Sequence, residues 1–398
     1  MVKNKEMKEY RLSELLEIKY GKDHKALLNG EIPCYGTGGL MRHVDKFLYD
    51  KESILIPRKG SLQNLYFVNK PFWTVDTLFW SKINKDLVKA KFLFYKLKTL
   101  NFSILNEGSA IPSLTTKTLN QIIVSIPNLE TQEKIASILS ALDDKIEINN
   151  EMNKTLEEMA QTLFKRWFID FDFPNENGEP YKSSGGKMVD SELGEIPEGW
   201  EIKELEDLLE LIIDYRGKTP KKLGGDWSNS GVKAISAKNI KNLELIDIEN
   251  MNMCNNQMYN KWMKDKLIEG DILMTSEAPL GELYYFAEKK EYILSQRIYG
   301  IRADKIKILP SVLFYSLQSP IVMADILNRA TGTTVTGIRQ TELRKVKLIV
   351  PPCKVQKKIE SILHINSLKK LKLSEEIQTL KEIRDTLLPK LMNGEVEV

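Results

Sequence analysis

Residues 126–139, IPNLETQEKIASIL, return as VPPCKVQKKIESIL at residues 350–363, a constant offset of 224, and this return decides how the chain folds. Gln132, Lys134, Ile135, Ser137, Ile138 and Leu139 coincide with Gln356, Lys358, Ile359, Ser361, Ile362 and Leu363 without a gap. The offset persists downstream: Thr155-Leu156, Glu158 and Thr162-Leu163 meet Thr379-Leu380, Glu382 and Thr386-Leu387. Upstream, GSAIPSL at Gly108–Leu114 lies over GTTVTGI at Gly332–Ile338. Looser matches with smaller offsets follow, LSELLE at Leu12–Glu17 with LEDLLE at Leu205–Glu210, and Leu93-Phe94-Tyr95 with Leu313-Phe314-Tyr315. The repeated unit is therefore a globular part followed by a helical part, and it occurs twice.

The helical parts are long. From 130 to 168, Ile135, Leu139, Leu142, Ile146, Met152, Leu156, Met159 and Leu163 recur at three- and four-residue steps, and no proline intervenes before Pro174. The second helix, from 354 to about 388, carries Ile359, Leu363, Leu371, Ile377, Leu380, Ile383 and Leu387 before Pro389. An apolar stripe of this length needs a partner, and the nearest candidate is the other copy, packed as an antiparallel coiled coil. Asn149 and Asn153 fall beside the stripe, where a solvated edge is expected and a register-fixing polar pair is the alternative.

The globular parts read as mixed. SILIP (53–57), LYFV (65–68), DILMT (271–275) and LYYFA (283–287) have strand composition and are bounded by Gly, Pro and Asn, while 87–98 and 310–327 are helical. Residues 174–200 are rich in Pro, Gly, Ser and acid and read as a linker. The expected fold is α+β: two mixed α/β domains, 1–129 and 201–352, separated by long helices at 130–173 and 353–398, with a pseudo-two-fold internal repeat.

Composition excludes several classes. Hydrophobic residues make up 42% and charged residues 28%, the balance of a soluble globular protein. No run of about 18 apolar residues occurs, and MVKNKEMKEY at the start is charged where a signal peptide is apolar, so a cytoplasmic location is expected. Cys34, Cys254 and Cys353 lie far apart and form no ligand spacing with His24, His43 and His364, so neither disulfides nor a metal are expected.

Net charge is only +3, yet it is unevenly spread. Residues 1–129 hold 20 basic and 12 acidic groups, whereas 174–352 hold 24 and 26. The first globular part suits a phosphate backbone; the second must concentrate its cations locally to do the same. Two clusters do so, Arg216, Lys218, Lys221 and Lys222 in YRGKTPKK, and Lys233, Lys238 and Lys241 around SAKNIK. A solvated surface is the alternative for any one lysine. Polar and basic residues in glycine-flanked loops are the candidates for base contact: Tyr35, Thr37, Arg42, Arg58, Lys59, Gln63 and Asn64 in the first part, and Lys218, Lys238, Asn239, Ser295, Gln296 and Arg297 in the second. Arg pairs bidentately with guanine, and Asn or Gln with adenine.

These pieces resemble the specificity subunits of type I restriction-modification systems. GSAIPSL at 108–114 followed by IPNLETQEKIASILSALDDKIEINN from Ile126 is similar to the end of a recognition domain and the start of its helix. LGEIPEGWEIKEL at 193–205 resembles the opening of a second recognition domain, and ISAKNI (235–240) and GDILMTSEAPLG (270–281) resemble its internal strands and turns. The second copy departs from the pattern at TTVTGI (333–338), and Pro389 stands where the first helix has Lys165, so that helix is expected to end a turn earlier. The resemblance implies a non-catalytic subunit without cofactor that reads double-stranded DNA at an asymmetric, bipartite target with a fixed spacer. It further implies two methyltransferase subunits, which supply S-adenosylmethionine and adenine methylation, docked on the helices, with motor-nuclease subunits joining that core.

Two alternatives stand beside it. A fused DNA methyltransferase is suggested by Asn69-Lys70-Pro71-Phe72, which resembles the Asn-Pro-Pro-Phe pocket but lacks one proline and any upstream glycine-rich cofactor loop. Glu201-Ile202-Lys203 matches only the tail of a nuclease metal motif and reads better as a strand start, and no P-loop is present. The other alternative is a coiled-coil scaffold joining protein partners without DNA. Basic and aromatic residues placed together, as in Tyr215-Arg216-Gly217-Lys218, argue for nucleic acid.

Overall fold

A computed structural model describes residues 7–287, 289–332 and 335–398. The chain forms two compact units, Met1–Asn149 with Glu376–Val398, and Asn150–Glu375.

In the first unit, four strands form an antiparallel sheet in the order Leu16–Tyr20, Leu78–Ile83, Ser53–Pro57, Tyr66–Val68. A second sheet runs Gly39–Val44, Ile32–Gly36, Trp73–Thr74, the last pair parallel. Lys8–Arg11 pairs with Ile123–Ile126. Ser53–Pro57 is buried along its whole length, which explains an apolar run without alternation.

The second unit repeats these three sheets and adds two short antiparallel pairs, Met188–Val189 with Ile196–Pro197 and Ile240–Lys241 with Glu244–Leu245. Leu209–Asp214, Ile298–Ala303, Ile272–Thr275 and Leu283–Tyr285 make the four-stranded antiparallel sheet. Met253–Cys254, Val232–Ile235 and Tyr292–Leu294 make the three-stranded one, again with its last pair parallel, and Glu201–Glu204 pairs with Lys347–Val350. The helical stretch read at 310–327 is two helices, Pro310–Gln318 and Pro320–Arg329, because Pro320 cannot continue the first and instead starts the second.

The repeated glutamine has a structural reason. Gln132 is buried, donates to Pro127 O (2.9 Å) and accepts from Lys89 N (2.8 Å); Gln356 donates to Pro351 O (2.9 Å) and accepts from Leu309 N (2.9 Å). Each ties the first turn of a long helix to its own globular part. Ile135 and Leu139 are buried in one unit, Ile359 and Leu363 in the other.

The long helices are Leu129–Phe164 and Cys353–Met392. The first ends in a π-helical turn, Lys165–Ile169, closed by Asp170 N donating to Lys165 O at 2.9 Å. The second does not stop before Pro389 as expected but runs through it. Proline removes one backbone donor. That loss is outweighed here because Leu391 and Met392 are buried in the first unit's core and Lys96 Nζ donates to Met392 O at 2.9 Å.

Two further expectations are corrected. Asn149 and Asn153 are buried, at 0% and 4% exposure, whereas Met152 and Met159 are 46% and 58% exposed. The buried face of the first helix follows Ile135, Leu139, Leu142, Ile146, Asn149, Asn153 and Leu156, a seven-residue spacing that hydrophobicity alone misplaces by one position at the asparagines. The segment read as a linker is folded: Trp200 lies 5.2–5.5 Å from the rings of Phe168, Phe171 and Phe173, and Ile196 is buried with them.

Candidate nucleic-acid interface

In the first unit the loops at the ends of the two larger sheets converge on Thr37. This residue sits in the turn between Ile32–Gly36 and Gly39–Val44, and its hydroxyl donates to Lys59 O at 3.0 Å. Its carbonyl accepts from Asn64 Nδ2 (3.1 Å) and from the Tyr66 hydroxyl (2.9 Å), and Tyr66 stacks on Tyr35 with centroids 6.2 Å apart. Arg58 donates to Asp76 O at 3.1 Å and lies 5.3 Å from the Tyr20 ring centroid. The Lys59 turn is pinned from the other side by Gly60 N donating to Pro112 O and Leu114 N to Arg58 O, both 2.9 Å. Gly108 of GSAIPSL admits no side chain: a Cβ there would sit 2.0 Å from Ile111 O.

Of the residues expected from sequence, Tyr35, Thr37, Arg58, Lys59 and Asn64 come together here. Lys59 is exposed and its ammonium has no partner among the described residues. Gln63 is exposed nearby, its amide 2.8 Å from that of Asn101. Arg42 is spent elsewhere: its guanidinium donates to His24 O (2.9 Å) and Leu27 O (2.7 Å), fixing a loop. Tyr20 and Tyr66 belong to the cluster and were missed, because single tyrosines at strand ends carry no sequence signal that separates them from core.

In the second unit Arg216 makes a bidentate pair with Asp214, both bonds 2.9 Å, and its guanidinium lies 4.1 Å from the Tyr299 ring centroid. Tyr299 in turn donates its hydroxyl to Ile338 O at 2.9 Å. Lys218 Nζ donates to Trp262 O (3.0 Å), lies 3.9 Å from the Tyr215 ring centroid, and has its pKa lowered chiefly by burial. Lys222 donates to Gly217 O at 2.9 Å, and Lys221 and Lys238 are exposed with no partner among the described residues. Asn239 is fully buried, accepting from Ser236 N and Oγ and donating to Ile246 O at 3.3 Å, so its amide shapes the loop from within. Ser295 is buried as well, its N–H donating to Ile235 O at 2.9 Å. Gln296 and Arg297 are exposed, and Arg297 pairs with Glu277 at 3.0 Å from a backbone with φ of 64°. Glu277 was not anticipated, since a search for cations passes over a carboxylate.

The two clusters are built alike. Arg58 N donates to Thr77 O and Ser276 N to Arg297 O, each at 2.8 Å; Val75 N donates to Tyr35 O and Ser295 N to Ile235 O, at 3.0 and 2.9 Å. Thr333 and Thr334 of the divergent TTVTGI stretch lie outside the described residues, but Ile338 N still donates to Ser276 O at 3.0 Å as Leu114 N does to Arg58 O.

The catalytic alternative fares poorly in this geometry. Phe72 of Asn69-Lys70-Pro71-Phe72 is 0% exposed and packed against Tyr49 and Trp80, so it offers no ring to a flipped base. Glu201–Glu204 is a sheet strand, as read. Among the described residues no group of three or more His, Cys, Asp or Glu could hold a metal ion, and no helix is long and apolar enough to cross a membrane. Cys34 and Cys254 are buried and Cys353 is exposed, all as free thiols.

Comparison with known proteins agrees with this arrangement. The family model described as "Type I restriction modification DNA specificity domain" matches residues 4–158 and 197–383. The chain is 28% identical over 357 residues to the type I restriction enzyme MjaIX specificity subunit of Methanocaldococcus jannaschii, covering 88% of this chain and 79% of that protein. It is also 28% identical over 394 residues to the HindI specificity subunit of Haemophilus influenzae, covering 83% and 81%. The crystal structure of a type I restriction-modification S subunit from M. genitalium shares the fold, with a TM-score of 0.66 at 16% identity over 98% of this chain and 97% of that one. Two matches to the specificity domain, together spanning most of the chain and each including the glutamine that ties a globular part to a long helix, place the chain in the family of type I restriction-modification specificity subunits.

Proposed function

We propose that this chain chooses the target site for a type I restriction-modification complex and has no active site of its own. Each globular part, 1–129 and 201–352, reads one short half-site through its loop cluster, and the two half-sites differ because the loops differ. The observation that carries the reading is one strand plan used twice with different side chains at equivalent loop positions: Lys59 against Glu277, Thr77 against Arg297.

The long helices act as the spacer, paired as an antiparallel coiled coil under a pseudo-two-fold repeat. Contacts inside each unit support the direction. In the first, Asp143 pairs with Arg384 and Lys145 with Glu376; in the second, Asn153 bonds Ser374 and Glu157 pairs with Lys370, so numbering rises on one helix as it falls on the other. A rigid strut makes the unread gap between half-sites a structural dimension.

Two modification subunits dock on these helices, supplying S-adenosylmethionine and methyl transfer, and motor-nuclease subunits join that core. Two copies of one partner need two equivalent surfaces. Ile138 and Ile362 are 39% and 43% exposed at repeat-equivalent positions, and so are Met159 and Ile383, at 58% and 42%.

The test is co-expression with a modification subunit encoded beside the gene, followed by mapping of methylated adenines in host DNA by single-molecule sequencing. The expected result is a split motif of two blocks with a constant gap. A stable complex that methylates nothing would favour a protein scaffold instead.

A further inference from the structure

The two loop clusters present opposite chemistry at one position. The strand Ser53–Pro57 runs into Arg58-Lys59, and its counterpart Ile272–Thr275 runs into Ser276-Glu277. Lys59 bridges Ser113 and Glu277 bridges Gly337, both antiparallel, so Lys59 and Glu277 occupy the same place in their units. The facing turn is inverted too: Thr77 in the first unit corresponds to Arg297 in the second, each carbonyl accepting the equivalent backbone N–H. Where the first unit has an ammonium and a hydroxyl, Lys59 and Thr77, the second offers a carboxylate with a guanidinium 3.0 Å away.

This pair is held in place. Gly337 packs closely beside it, a Cβ there lying only 3.0 Å from both Glu277 Cβ and Ser276 O. Arg216, fixed by Asp214 and the Tyr299 ring, adds positive potential toward Glu277. Both side chains of the pair stay accessible, Arg297 at 53% and Glu277 at 37%. A carboxylate is an acceptor only and a guanidinium a donor only. In the major groove a C·G pair presents the cytosine N4 amino group beside guanine O6 and N7, which is the complementary pattern.

We propose that Glu277 and Arg297 together read one C·G base pair in the half-site of the second unit, Glu277 accepting from the cytosine amino group and Arg297 donating to guanine. Lys59 and Arg58 at the corresponding place make the first unit select acceptors, guanine or phosphate, with no carboxylate to favour cytosine. The inference rests on the functional reading above.

Methylated motifs mapped for the wild-type complex and for Glu277→Gln and Arg297→Gln test it. The wild type is expected to show a C·G pair in one block. Glu277→Gln should lower the preference for that pair about tenfold or more at that single position, admitting A·T, which suits an amide, while the other block and the gap stay fixed. Arg297→Gln should relax the same position. A motif with no C·G pair in either block, or variants that methylate the unchanged motif, would overturn the proposal while leaving the two-reader function intact. Absence of any split motif in the wild type would overturn both.

Discussion

Asp143 and Arg384 lie 241 residues apart in the chain and meet at 2.8 Å in the first unit, one on each long helix, with the Tyr95 hydroxyl donating to the second Asp143 oxygen at 2.6 Å. The second unit repeats the device with other residues, Glu157 pairing with Lys370 at 2.7 Å beside Tyr315. In each case a tyrosine of the repeated Leu-Phe-Tyr motif joins the globular part to an ion pair between helices. Asp143→Ala removes one of the two carboxylates on Arg384, leaving only the exposed Asp385 at 2.8 Å, and takes the acceptor from the Tyr95 hydroxyl. Urea denaturation should show a loss of about 2 kcal/mol, and Asp143→Asn should lose less. An unchanged midpoint would mean that the pair is solvated in solution.

Asn149 is fully buried, and neither polar atom of its amide has a partner among the described residues. Burial without a partner costs about 1–3 kcal/mol, so Asn149→Leu should raise the thermal midpoint. If it lowers the midpoint, the amide is satisfied in solution and fixes helix register.

Arg42 and Lys59 were equal candidates from sequence but should behave differently. Arg42→Ala leaves the Leu27 carbonyl without its donor and the His24 carbonyl with only the Leu27 N–H, and should cost about 2 kcal/mol of stability. Lys59→Ala and Lys221→Ala, both at exposed unpartnered ammonium groups, should leave the melting curve in place. Each should instead reduce the slope of log affinity against log salt by roughly 0.9 in fluorescence-anisotropy titrations of the complex with duplex DNA. An unaltered slope would remove that lysine from the phosphate contacts.

Glu360 should make the second unit pH-sensitive. Burial raises its pKa above the ordinary 4.5, although Ser311 donates to it and His364 and Lys305 pull the other way. The folded state thus holds the proton more tightly than the unfolded chain does. Its contribution to stability is full below about pH 4.5 and falls as pH rises through the folded value. Glu360→Gln should flatten the decline in melting temperature as pH rises above the ordinary carboxylate range, and an identical profile for the variant would show the carboxyl to be freely solvated.

The sequence by itself determined the plan of the molecule. Gln132 and Gln356, Leu139 and Leu363, and the two Leu-Phe-Tyr segments recur because each copy solves the same problem, anchoring a long helix to a mixed domain, and identical problems leave identical residues at fixed spacing. SILIP and DILMT were legible as strands because full burial demands continuous apolar runs. Tertiary structure alone decided which polar residues face outward. Arg42, Asn239 and Ser295 read like base contacts but are consumed by carbonyls and turns of their own unit, while Glu277 became a candidate only when its backbone was seen to occupy the place of Lys59. The burial of Asn149 and Asn153 was equally hidden, since helical phase over many turns is set by the packing partner, and local hydrophobicity favoured the exposed Met152 and Met159. Hydrogen-bond partners distant in sequence determine whether a loop residue is free to meet a ligand, and no local pattern records them.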